Sequence, residues 1–86
     1  MYRVEIAPAA RKQLKRLPKS VARRVLDRLS ELEINPRPPD CKKLKGSSST
    51  YRIRHGDWRV IYEIVDSQVL VMVVKVGHRS DCYRNI

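Results

Sequence analysis

The stretch that most narrows the fold is Val69-Leu70-Val71-Met72-Val73-Val74. Four of its six residues are β-branched, which favours a strand over a helix. Six residues fall far short of the roughly 20 needed to cross a membrane as a helix. On a strand, successive side chains point to opposite faces, so this segment is apolar on both and must be central or covered on both sides. A strand spanning about residues 68–76 is therefore the one around which the sheet is built.

Its partners precede it. Tyr51-Arg52-Ile53-Arg54 and Trp58–Val65 alternate with period two, and His55-Gly56-Asp57 between them supplies the residues of a tight hairpin turn. Arg52 and Arg54 share one face of their strand, opposite Tyr51 and Ile53. If the hairpin closes, Arg52, Arg54 and Arg59 converge on one side of the sheet. Clustered guanidiniums repel one another, so stability does not explain them; phosphate binding does. Asp66-Ser67 is read as a tight turn into the apolar strand.

Upstream, Tyr2-Arg3-Val4-Glu5-Ile6 alternates as a short strand. Pro8 then opens a helix, where its missing N–H costs nothing. Ala10, Leu14 and Leu17 face inward, and Pro18 ends the helix. A longer helix runs from Lys19 or Ser20 to about Ile34, with Val21, Val25, Leu29 and Leu32, joined by Ala22 and Leu26, as one broad apolar stripe. Both stripes are spent on packing against a sheet, which argues against DNA reading by a helix-turn-helix. Asn35-Pro36-Arg37-Pro38-Pro39-Asp40 is a stiff connector, since proline removes donors and fixes φ. Ser47-Ser48-Ser49-Thr50 is a polar loop. The prediction is one small α+β domain over residues 1–86, in the order β-α-α-β-β-β. Two N-terminal helices pack on one face of a twisted antiparallel sheet.

The formal net charge is +10. Residues 1–45 hold 13 Lys and Arg against 5 Asp and Glu, while residues 46–86 hold 6 against 4. The helical half supplies a diffuse field and the strand half fewer, better placed cations. Such an excess at this size points to a polyanionic partner. Cys41 and Cys82 have no metal-ligand spacing and read as free thiols of a reducing cytoplasm. Nothing in the sequence asks for a cofactor, a metal or a membrane.

The pattern Tyr-Arg-Ile-Arg-x-Gly-Asp-x-Arg-Val-Ile-Tyr-Glu at 51–63 is followed by Val-Gly-His-Arg-x-x-x-Tyr at 76–83 and preceded by Lys43-Leu44-Lys45-Gly46. Together these resemble the RelE/ParE superfamily of bacterial and archaeal toxins, RelE-like branch, over essentially the whole chain. The resemblance implies the toxin of a type II toxin–antitoxin system, a cytoplasmic mRNA interferase that cuts codons in the ribosomal A site. Its implied partners are mRNA on the ribosome, with 16S rRNA contacts through the basic surface, and a cognate antitoxin in a hetero-oligomeric complex. By motif, Arg52, Arg54, Arg59, Arg79 and Tyr83 take catalytic positions; His78 joins them as a titratable neighbour, Lys43, Lys45, Arg52 and Arg54 contact RNA, and Trp58 either stacks on a base as an RNA contact or packs in the core. Many RelE proteins carry lysine where Arg52 and Arg54 stand. Guanidinium does not give up its proton near neutrality, so proton transfer falls to His78 and Tyr83. The rival readings are a ParE-like poison of DNA gyrase, a branch that has generally lost the basic set, and a non-catalytic basic nucleic-acid-binding module. Tyr51 and Tyr62 read as packing residues, and His55 as a structural or solvated turn residue.

Overall fold

The computed structural model describes residues 1–78. Along the chain run β1 (Arg3–Ile6), α1 (Pro8–Lys15), α2 (Lys19–Ile34), β2 (Lys42–Lys43), β3 (Thr50–His55), β4 (Trp58–Val65), a 3₁₀ turn (Asp66–Gln68) and β5 (Leu70–His78). The strands form one sheet in the order β1-β5-β4-β3-β2. The apolar run thus takes an interior place between β1 and β4, as its two apolar faces require.

The predicted element order and the two helices on one face are present, but the sheet is mixed rather than wholly antiparallel. β1 lies parallel to β5, with Val4 opposite Val71 and Ile6 opposite Val73. Parallel neighbours need a crossover, which α1 and α2 begin. The remaining pairs are antiparallel, and β2 adds a two-residue fifth strand at the far edge. The tight turn expected at Asp66-Ser67 is a 3₁₀ turn closed by Val69 at φ 51°, so β5 begins at Leu70.

The core lies between helices and sheet. Ala10, Leu17, Val25, Leu29 and Leu32 meet Ile53, Val60, Tyr62, Ile64, Val71, Val73 and Val76. Leu26, predicted to join the α2 stripe, is 46% exposed. It lies about 100° around the helix from Val25, beyond the arc that faces the sheet. Tyr62 is fully buried; its hydroxyl donates to the Pro36 carbonyl at 2.8 Å, and its ring stacks on Tyr51 at 6.0 Å. Burial pushes the Tyr62 hydroxyl's pKa up, so it stays a donor.

The proline connector is tied to the sheet through Arg37. Arg37 bridges to Asp66 at 2.9 Å, donates to the Tyr51 hydroxyl at 3.3 Å and stacks over that ring. Tyr2 donates to the same Asp66 carboxylate at 2.7 Å. One carboxylate therefore joins the residue before β1, the connector and the β4–β5 turn.

Candidate functional site

The β3–β4 hairpin closes with Gly56-Asp57 as its two-residue loop, because His55 pairs with Trp58. Gly56 sits at φ 59°, in the left-handed region that primed hairpin turns need and that glycine adopts most readily. The register follows from that turn. Arg54 stands directly opposite Arg59, and Arg52 opposite Ile61. Residues opposite each other on antiparallel strands share a side, so all three arginines lie on the side of the sheet away from the helices.

Arg59 is held most firmly. Only 7% of it is exposed, and one guanidinium nitrogen donates to the Gly56 carbonyl at 3.1 Å and to the Trp58 carbonyl at 3.4 Å. Its charged group is thus anchored beneath the turn that defines the register. Arg52 is half-buried and Arg54 exposed. Like charges directly opposite are destabilising, so this stretch of sheet gives up stability for a cationic surface.

Two further cations share that side, and periodicity missed both. Lys42 pairs with Arg52, and Lys75 pairs with Ile61. Lys42, Arg52, Ile61 and Lys75 therefore form one row across four strands. Strict alternation from Val71 and Val73 would send Lys75 to the helix side. A register shift between Ile61 and Tyr62 intervenes: Tyr62 pairs with Val73 but Ile61 with Lys75, leaving one extra residue, Val74, on β5. The bulge carries Lys75 to the arginine side and returns Val76 to the core. Only the register, and no motif, could have revealed this.

The other sequence-predicted residues are distributed differently. Lys43 pairs with Tyr51 and so lies on the helix side, exposed, while Lys45 follows in the exposed turn after β2. Trp58 packs half-buried against the core on the helix side. His78 pairs with Trp58, and the two rings meet edge to face at 5.5 Å and 88°. His78 thus stands on the opposite side of β5 from the arginine row. Arg79 and Tyr83 lie outside the described residues. His55 lines a hollow with Ser20, Val21 and Arg24 at the start of α2.

The arginine side can bind a phosphodiester at several points, with one guanidinium fixed in place and others reaching from neighbouring strands. Arginine's planar fork suits two oxygens of one phosphate.

The family profile for the ParE toxin of the type II toxin–antitoxin system parDE matches residues 4–83. Toxin RelG of Mycobacterium tuberculosis is 31% identical over 87 residues, covering 96% of this chain and 97% of that protein. The mRNA interferase toxin RelE of Escherichia coli K12 is 30% identical over 81 residues, covering 92% and 84% respectively. The RelE of an archaeal RelE–RelB complex from Pyrococcus horikoshii OT3 superposes with a TM-score of 0.82 at 36% identity, covering 94% of this chain and 98% of that one.

Proposed function

Because the chain belongs to the RelE/ParE superfamily of type II toxin–antitoxin toxins, on its RelE-like branch, we propose that it is a ribosome-dependent endoribonuclease cutting mRNA in the A site. The observation that carries this reading is the pairing of Arg54 with Arg59 beside Arg52 on one side of the sheet. The 2′-hydroxyl of the nucleotide before the cut attacks the adjacent phosphorus and the bond to the 5′-oxygen breaks. The products are a 2′,3′-cyclic phosphate and a free 5′-hydroxyl. The phosphorane-like transition state carries more negative charge than the substrate, so fixed guanidiniums bind it more tightly. Each such contact is worth about 2–4 kcal/mol of barrier.

In this reading Arg59 and Arg79 hold the scissile phosphate, and Arg52 and Arg54 hold the backbone beside it. Proton transfer falls first to Tyr83, because arginine makes no base and His78 stands on the other side of β5. The ribosome supplies the in-line geometry that a domain with few base-reading groups cannot impose alone. The setting is the cytoplasm. Among the described residues, no helix is long and apolar enough to cross a membrane. A RelB-like antitoxin is the natural partner of a chain with net charge +10, and the Pyrococcus horikoshii relative was crystallised with RelB.

One observation favours a second reading: the matching profile is named for ParE, the gyrase-poison branch. The retained arginine set weighs against it. Primer extension on ribosomes programmed with a defined message, beside a gyrase supercoiling assay, separates the two. Message cut in the A site with gyrase unaffected supports the interferase. Intact message with inhibited gyrase reverses the assignment.

A further inference from the structure

Where β1 stops, the outer edge of β5 is left to α1. The last contacts of β1 with β5 are at Val73, and beyond them the Val76 N–H donates to the Gln13 side-chain oxygen at 2.8 Å. Between α1's end and the end of β5 lies a cleft of about 260 Å³, and Gln13, Arg16, Leu17, Trp58, Lys75 and His78 are among its walls. That volume falls just below the range of pockets that enclose drug-sized ligands, about 300–1,000 Å³, and suits a single ring system.

The walls have a consistent chemistry. Trp58 and His78, edge to face, form an aromatic corner, and Leu17, nearly buried, adds an apolar surface. The Gln13 amide orientation is fixed chemically, because its oxygen must accept from the Val76 N–H; its nitrogen end is then a donor. Arg16 also presents donors only. The cleft is therefore aromatic and apolar in body and donor-rich at its rim. Lys75 borders the cleft where β5 is an edge, although its side of the strand is that of the row Lys42-Arg52-Ile61-Lys75. The cation row and the cleft thus lie on opposite sides of β5 and adjoin at its outer edge.

We propose that this cleft takes one nucleobase of the bound RNA strand and favours guanine; the proposal rests on the interferase reading and adds a base-binding subsite to it. A strand lying along the cation row places a phosphate at Lys75, and the base beside it reaches Trp58 around the outer edge of β5 beyond the end of β1. Stacking on an aromatic ring is open to every base. The donor rim discriminates: guanine offers O6 and N7 as paired acceptors for Arg16, whereas adenine sets an amino group against donors. Uracil and cytosine cover less of the aromatic corner.

Trp58 is the only tryptophan in the chain, so its emission reports directly on the cleft. The purified protein, without ribosomes, is titrated with GMP, AMP, UMP, CMP and ribose 5-phosphate. The expected result is a saturable change in Trp58 emission, tightest for GMP, with AMP weaker by about tenfold. Arg16 is exposed at the end of α1, and Arg16→Ala should weaken GMP by about tenfold while the far-ultraviolet circular dichroism stays that of the parent. No saturable change, equal affinity for ribose 5-phosphate and GMP, or unaltered GMP binding by a folded Arg16→Ala variant would each overturn the subsite. The two readings fail separately. Cleavage on ribosomes without nucleotide binding removes the subsite alone, and nucleotide binding without cleavage removes the interferase alone.

Discussion

Arg54 and Arg59 face each other directly across the β3–β4 hairpin, with Arg59 anchored to the carbonyl of Gly56 in the turn that sets their register. The turn and the cationic site are thus one construction. A residue inserted into or removed from the loop would disturb the pairing of Arg54 with Arg59, because the two-residue turn sets that register.

The cations of the sheet should behave differently from those of the helices. Lys42 and Lys75 lie in the row that includes Arg52. Lys42→Ala or Lys75→Ala should each reduce the salt slope of association with programmed ribosomes by about 1. Arg11→Ala or Arg23→Ala, on exposed helix positions, should change the slope less and leave the single-turnover rate intact. Equal slopes for all four variants would remove the distinction between row and diffuse field.

Much of this arrangement is legible in the sequence. The apolar run at 69–74 places itself inside the sheet, and Gly56 between two alternating segments announces the hairpin and so the shared face of Arg52, Arg54 and Arg59. The parallel placement of β1 is not legible, since Tyr2–Ile6 alternates equally well for either direction. Lys75 is hidden for a sharper reason: the bulge at Val74 breaks the parity on which alternation depends. Leu26 misleads because apolar residues at the border of a helical stripe look like members of it.

That border gives a stability test. Leu32→Ala, at a fully buried position, should cost about 2–5 kcal/mol in urea unfolding. Leu26→Ala should cost well under half as much. Equal losses would mean that the stripe is wider than the packing indicates.

Asp66 ties three segments together, and its carboxyl is held below the usual range first by the hydrogen bond from Arg37 and then by that from Tyr2. A depressed folded-state pKa contributes stability above the unfolded value, about 3.9, and loses it as pH falls through the folded one. Between pH 6 and pH 3 the parent should lose urea resistance more steeply than Asp66→Asn, which starts lower. Parallel pH profiles for the two proteins would show that this carboxylate is not linked to folding.

Val69 closes the 3₁₀ turn at φ 51°, a region that β-branched residues seldom occupy, and it is 45% exposed. Val69→Gly or Val69→Asn should raise stability by up to about 1 kcal/mol, with glycine's gain reduced by its larger unfolded-state entropy. Thermal melts decide it. A lower midpoint for both variants would mean that the valine side chain contributes more through packing than its backbone loses.

The central claim is that a fixed guanidinium on the side of the sheet away from the helices stabilises the cleavage transition state. Its most direct test is the single-turnover rate of message cleavage on saturating programmed ribosomes, for the parent and for Arg59→Ala. Loss of a preorganised donor to a developing charge predicts a fall of about 10²–10³ with ribosome affinity little changed. A folded Arg59→Ala variant that cuts at the parent rate would contradict the account.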